Sequence, residues 1–205
     1  MNVAPITTPL RLSRPRGLSA VAFAWISCAA LLAPTPARAI ELHPGNTYSL
    51  TLTDVDRQQL STSDGHLTII TVLTRKDEQK AEQVGERVPH VYLGDPHSRL
   101  ITVVNFQGAI FPIFQGMINA IIRNRMDAEA KELQAVYTSK HLTRNPRSDI
   151  FVVADFDGKA VSKLGIAPTS SEFAVFVFDG HGRLHRRWND VPSAEALAQA
   201  LIEAK

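Results

Sequence analysis

Short apolar runs rich in β-branched residues alternate with longer segments of helical periodicity through most of this chain. Leu67–Leu73 has little polar interruption, which is typical of a strand buried on both faces. Further strands are predicted at Tyr48–Leu52, Leu100–Phe106, Ile150–Ala154, Phe173–Phe178 and in a last strand that reaches Trp188. Strands alternating with helices imply a mostly parallel sheet covered on both faces. We therefore expect an α/β, three-layer sandwich with a mixed central sheet of four to five strands, an N-terminal strand extension and a final antiparallel hairpin.

Spacing and end signals predict the helices between these strands. The first begins at Thr74, because Thr74 and Asp77 have capping-box spacing, and it runs to about Val88 before a proline. A short helix is expected at Lys159–Leu164 and a closing helix at Ser193–Ala204. Each helix lies between predicted strands or after the last one, as the layered architecture requires.

The longest predicted helix carries an apolar stripe, and Pro112 fits its first turn. The stripe follows a spacing of three and four through Ile110, Ile113, Phe114, Met117, Ile118, Ile121, Ile122, Met126, Ala130, Leu133 and Tyr137. We expect it to be core. The alternative is that the face from Ile110 to Ile122, widened by Phe111, is partly exposed as a partner or dimer surface.

Residues 1–39 have the three-part organisation of a targeting segment. Arg11, Arg14 and Arg16 form a positively charged start, and an apolar stretch follows at Leu18–Ala33. No acidic residue precedes Glu41. This pattern indicates a bacterial export signal, with delivery to the periplasm or the exterior.

The end of this segment has a small-x-small cleavage pattern. Ala37 and Ala39 supply the small residues, and we place the cut before Ile40. The apolar stretch is shorter than the ~20 residues of a membrane span, so no anchor is expected after cleavage. Residues 40–205 then form a single domain.

Charge and motifs exclude several classes of function. The net charge of +2 includes four arginines of the targeting segment, which leaves −2 on residues 40–205. That balance does not suit nucleic-acid binding, which needs clustered basic charge. The seven histidines show no convergent ligand spacing, so neither a metal nor a cofactor is expected. No nucleophile elbow, dinucleotide fingerprint or P-loop is present.

Motifs in the order Tyr48–Asp56, Leu67–Leu73, Asp155–Ile166 and Phe176–Leu184 resemble the thioredoxin-like superfamily. Within it, the chain is similar to the secreted peroxiredoxin- and TlpA-like branch and to YtfJ-type periplasmic proteins, which lack the thiols. The first motif resembles that branch's opening strand and acidic turn, and the second its strand before the active-site loop. The last two resemble the Asp-x-x-Gly turn, short helix and hairpin. The resemblance implies a thioredoxin-like sandwich.

The resemblance also locates a departure from the family's chemistry. The family carries Cys-x-x-Cys at the start of the first helix, where the helix terminus activates the first thiol. Here Cys28 is the only cysteine, and Asp77 and Lys80 fall at the cysteine positions. Neither side chain exchanges disulfides. Dithiol oxidoreductase and peroxidase activities are therefore excluded for residues 40–205.

A candidate surface for a ligand or partner follows at the degenerate active site: Arg75, Asp77, Glu78, Lys80 and Pro168. Pro168 is the nearest match to the family's cis-proline but lies several residues early. The favoured hypothesis is an exported, non-redox module that binds an unknown protein or small ligand, with no catalytic residue. The alternatives are an enzyme with non-thiol chemistry at positions 75–80, which requires those groups to converge, or a structural subunit that could form a homo-oligomer.

Overall fold

A computed structural model describes residues 41–106 and 112–205. The predicted targeting segment and its cleavage position before Ile40 lie outside these residues, as do Ile110 and Phe111. The described strands are β1 (Thr51–Thr53), β2 (Gln59–Ser61), β3 (Leu67–Leu73), β4 (Ser98–Asn105), β5 (Ile150–Asp155), β6 (Ala174–Phe178) and β7 (Leu184–Trp188). The α-helices are α1 (Glu78–Arg87), α2 (Pro112–Ser139), α3 (Lys159–Lys163) and α4 (Ala194–Glu203).

Five strands form the central sheet in the order β5-β4-β3-β6-β7. β3, β4 and β5 are parallel, whereas β6 and β7 are antiparallel to their neighbours. The expected α/β class with a mixed sheet flanked by helices is therefore confirmed. β3 lies at the centre and is buried along its whole length, as its uninterrupted apolar sequence predicts.

The two faces of the sheet carry separate apolar clusters. One contains residues of β1, β2 and α3, with Leu52, Val161 and Leu164 among its buried side chains. The other contains residues of α1 and α4, with Val84 and Leu197 fully buried. This arrangement is the three-layer sandwich, with a β1–β2 hairpin as its N-terminal extension.

The hairpin differs from the predicted strand. Pairing runs from Thr51–Ser61 to Thr53–Gln59, so the strand starts later than Tyr48, and β2 is a further strand that was not predicted. Arg99 of β4, 8% exposed, holds it to the sheet by donating to the Asp64 carboxylate at 2.9 Å. A buried arginine of this kind is stable only when paired, and this one is.

The first helix begins four residues later than the capping-box pattern predicts. Thr74 Oγ1 donates to Asp77 Oδ2 at 2.8 Å, and the Asp77 N–H donates to the Thr74 carbonyl. These bonds close a turn, and α1 starts only at Glu78. The pairing expected between Thr74 and Asp77 exists, but it closes a turn before the helix. Short polar side chains of this kind also make hydrogen bonds in turns, and these compete with helix formation.

The prediction that the whole α2 stripe is core is wrong for its first half. Ile113 is 83% exposed, and Phe114, Met117 and Ile121 are also exposed, whereas Met126 is buried. Four residues of an α-helix turn through about 400°, so a stripe built on steps of four winds around the helix by about 40° per step. It therefore leaves the core within a few turns, and only the second half of α2 packs inwards.

Candidate functional site

The carboxyl ends of the three parallel strands define one edge of the sheet. Thr74, Phe106 and Asp155 stand at the ends of β3, β4 and β5, and α1 begins beside them. Asp155 accepts from the Val161 N–H at 2.8 Å, and burial raises the pKa of its carboxyl. Its role is thus to hold the start of α3 against the sheet. This edge is where parallel sheets usually place ligands.

The candidate residues at the start of α1 do not converge. Arg75 is exposed, and Asp77 is bonded back to the turn that precedes the helix. Glu78 pairs with Arg125 of α2 at 3.2 Å, while Lys80 pairs with Asp190 at 2.9 Å. Arg125 belongs to α2, whereas Asp190 lies in the loop between β7 and α4. The convergence that non-thiol catalysis at positions 75–80 requires is therefore not found among the described residues.

Pro168 is placed in the loop before β6 and packs against Gly158. A side chain at Gly158 would overlap Pro168, and Gly158 has a φ of 74°, which also favours glycine. The Pro168 carbonyl accepts from Asn105 Nδ2 at 3.1 Å. All described peptide bonds, the one before Pro168 included, are trans. Pro168 thus braces the end of β4 and does not adopt the family's cis geometry.

The first half of α2 has its polarity inverted. Its outward side carries Ile113, Phe114, Met117 and Ile121, all exposed. The side that faces the domain carries polar residues spaced by four, which are Gln115, Asn119 and Arg123. A surface helix normally turns its apolar side inwards. An exposed apolar strip of this kind marks an interaction site more often than a scattered apolar residue does.

Arg123 holds this inverted half in place. Its Nε donates to Asp56 Oδ1 at 2.9 Å, and its guanidinium also donates to the Val55 carbonyl. Arg147 donates to the other oxygen of Asp56 at 2.7 Å. Burial acts to raise the pKa of Asp56, but the two arginines outweigh it and lower that pKa. The carboxylate therefore stays charged and ties α2 to the turn after β1.

A cavity of about 310 Å³ lies between the turn after β1, the inner side of α2 and the end of β5. Its lining includes Asp54 and Asn119, whose Oδ2 and Oδ1 atoms are buried without a hydrogen-bond partner among the described residues. Asp54 is 6% exposed, and burial raises the pKa of its carboxyl. Native proteins contain few such orphaned acceptors.

Sequence reasoning missed the residues of this cavity. The resemblance implied an acidic turn at the end of Tyr48–Asp56, which the structure contains, but no role was given to Asn119 or Arg123. The available signal was the polar series at positions 115, 119 and 123, which runs along the same helix as the apolar stripe. Two opposed faces at this spacing mark an amphipathic helix, whereas the side that packs against the domain is not given by the spacing.

No cluster of three or more histidine, cysteine or acidic side chains is placed to hold a metal ion within residues 41–106 and 112–205. Among those same residues, no helix combines the length and the apolar character that crossing a membrane demands.

The solved structures that resemble this chain and are named below are distant from it in sequence. No protein-family model and no curated protein matches the chain. A peroxiredoxin-like protein from Aquifex aeolicus is 14% identical, with a TM-score of 0.49 over 82% of this chain and 91% of the other. The exposed lipoprotein thioredoxin Etrx1 from Streptococcus pneumoniae is 14% identical, with a TM-score of 0.45 over 76% and 99%.

A thiol:disulfide interchange protein of the thioredoxin family from Chlorobium tepidum is 11% identical, with a TM-score of 0.48 over 80% of this chain and 99% of the other. Identities this low leave the activity of this chain open. The mixed five-stranded sheet, the closing antiparallel hairpin and the flanking helices described above are those expected from the sequence. The chain has a thioredoxin-like architecture and carries Asp77 and Lys80, not cysteines, at the start of its first helix.

Proposed function

We propose that this chain is an exported, non-redox binding protein that recognises another protein through the outer side of the first half of α2. The observation that carries this proposal is the inverted polarity of that half. Phe114, Met117 and Ile121 are spaced i, i+3 and i+7, which is the spacing of anchors that enter an apolar groove of a partner. Ile113 widens the strip beside them.

The charges near this strip favour a protein over a lipid surface. Arg123 and Arg125 are the only basic residues between positions 112 and 126, and they pair with Asp56 and Glu78. A helix that lies on a membrane usually displays unpaired lysine and arginine beside its apolar side. Compensated arginines give anionic lipids little to attract, whereas an apolar protein groove needs no such charge.

The size of the strip favours a transient complex over a permanent dimer. A stable interface typically involves about 20–30 residues on each side. Four exposed apolar side chains on one helix fall well short of this number. The helix-in-groove mode suits such a strip, since the partner supplies most of the enclosing surface.

Site-specific photo-crosslinking in the native host tests this proposal. A photoreactive residue at Met117 should capture a discrete partner, whereas the same residue at Ile202 should not. Ile202 is a matched control because it is an apolar side chain, 65% exposed, on α4. Equal capture at both positions would remove the basis for a partner site on α2. Capture of lipid, or of a second copy of the chain, would likewise reject the proposed partner.

A disulfide-reduction assay with insulin tests the non-redox part separately. The purified protein should not accelerate reduction above the rate with dithiothreitol alone, because Cys28 is the only cysteine of the chain. A clear acceleration would overturn this part of the proposal. The export part is tested by N-terminal sequencing of the protein from the periplasm or medium, which should begin at Ile40.

A further inference from the structure

The cavity beneath the first half of α2 contains two acceptors that lack a donor. Asp54 Oδ1 accepts from the Asp56 and Gln58 N–H groups at 2.9 and 2.7 Å, so that oxygen is satisfied. Its Oδ2, like Oδ1 of Asn119, has no partner among the described residues. Leaving a buried polar atom unsatisfied is costly, because the atom gives up its hydrogen bonds to water and gains none in the protein. Two such atoms in the lining of one cavity point to a donor that enters it.

No donor in the cavity lining bonds to either oxygen. Arg123 donates to Asp56 and to the Val55 carbonyl, Arg57 is exposed, and the half-buried Gln115 amide does not bond to the two oxygens either. An entering group that satisfies both oxygens brings N–H or O–H donors of its own. A buried carboxylate also favours a positive charge, because pairing offsets the cost of keeping the carboxylate away from water.

The remaining lining gives the entering group an apolar wall. Val55, Ala154 and Phe156 line the cavity, and Phe156 stacks on Phe106 with ring centroids 4.8 Å apart. This surface suits a short alkyl chain. A volume of about 310 Å³ admits a side-chain-sized group and falls at the lower end of the usual range for ligand sites.

We propose that this cavity binds a primary alkylammonium group, with its N–H donors directed to Asp54 Oδ2 and Asn119 Oδ1 and its alkyl chain against Val55 and Phe156. Both oxygens are shielded from solvent, so binding requires a local rearrangement of the cavity lining. The ammonium group belongs either to a free small amine or to a lysine side chain of a protein. This site is separate from the proposed partner surface, which uses the opposite side of α2.

Titration of the protein purified from its native host with n-butylamine, followed by NMR amide shifts, tests the proposal. Shifts should cluster at Asp54, Asn119 and Phe156, with dissociation in the millimolar range or tighter. 1-Butanol and butyrate, which have the same chain without the positive charge, should bind at least about tenfold more weakly. Equal binding by either control, or no saturable shift with butylamine, would overturn the proposal. Water would then be the donor to Asp54 Oδ2 and Asn119 Oδ1.

Variants locate the binding group. Asp54→Asn keeps an acceptor for the two backbone N–H groups but removes the charge, and it should weaken butylamine binding by about tenfold or more. Asp190→Asn, at an exposed acid beside Lys80, should leave the affinity unchanged. Unchanged binding by a folded Asp54→Asn protein would contradict the assignment. A capped lysine peptide and its norleucine counterpart distinguish the sources, because preference for the lysine peptide over butylamine indicates a protein ligand.

Discussion

Arg123 of α2 donates from Nε to Asp56 Oδ1 at 2.9 Å across a sequence separation of 67 residues. This bond connects a helix whose outer side is apolar to the turn that follows β1. Since Arg147 donates to the other carboxylate oxygen, one acid is shared by two arginines. The proposed partner surface and the proposed amine cavity lie on the two sides of the helix segment that this bond holds.

Replacing Arg123 should loosen the first half of α2. Arg123→Gln should lower the free energy of unfolding by about 0.5–1 kcal/mol, a small loss because the side chain is partly solvated. Hydrogen exchange at Gln115–Ile122 should speed up more than exchange in β3. Arg125→Gln is the matched control, since its pair with Glu78 is more exposed, and it should change stability by less than about 0.5 kcal/mol. Similar exchange in both variants would argue against the tether.

Asp56 should stabilise the protein only above acidic pH. Although burial acts to raise it, the pKa of Asp56 is lowered by Arg147 and Arg123. A carboxyl whose pKa is lower in the folded state binds fewer protons there, so its stabilisation is present above the unfolded pKa of ~3.9 and is lost as pH falls through the folded value. Asp56→Asn should therefore cost about 1 kcal/mol at pH 7. Urea titrations at pH 7 and at a pH near the folded pKa of Asp56 should show that the cost of Asp56→Asn vanishes at the lower pH.

Asp54 should behave in the opposite way. Burial raises the pKa of this carboxyl above its unfolded value, so its contribution is most favourable below the unfolded pKa and is lost as pH rises through the folded value. Asp54→Asn should therefore raise the melting temperature at pH 7. An increase of ~2–4 °C corresponds to 1 kcal/mol in a domain of this size. A variant that melts lower than the wild type at pH 7, with its fold intact, would show that the charged form is already compensated.

Two methionines on α2 test the winding of the stripe. Met126 is 2% exposed and Met117 is 57% exposed, although both belong to the same apolar series. Met126→Ala should lower the free energy of unfolding by about 2–5 kcal/mol, because it leaves a cavity in the core. Met117→Ala should cost less than about 0.5 kcal/mol. Equal losses, measured by urea unfolding, would mean that the first half of the helix is buried after all.

The elements that the sequence predicted best are those determined by burial on both sides. Leu67–Leu73 matches β3 at both ends, because a fully buried central strand leaves no position for a polar residue. The closing helix also matches closely, with the Ser193 side chain accepting from the Ala196 N–H at its start. In both cases, local sequence and tertiary environment favour the same structure.

The candidate site was harder to predict, because its features depend on contacts between distant segments. Thr74 and Asp77 have helix-start spacing, yet they close a turn instead. The apolar series on α2 has helical spacing throughout. Which of its residues face solvent depends on the side of the helix that packs against the rest of the domain. Likewise, a sequence shows that Asp54 belongs to a turn, whereas its buried and unpaired oxygen appears only once α2 lies over it.

The affinity of the partner captured by crosslinking at Met117 tests the central claim most directly. Binding of that partner should be measured for the wild type, for Met117→Glu and for Ile202→Glu, which places the same charge at another exposed apolar position. We expect Met117→Glu to weaken binding by about tenfold or more, since a carboxylate in an apolar groove loses its hydration. Ile202→Glu should bind like the wild type. Equal affinities for all three proteins would contradict a partner site on the outer side of α2.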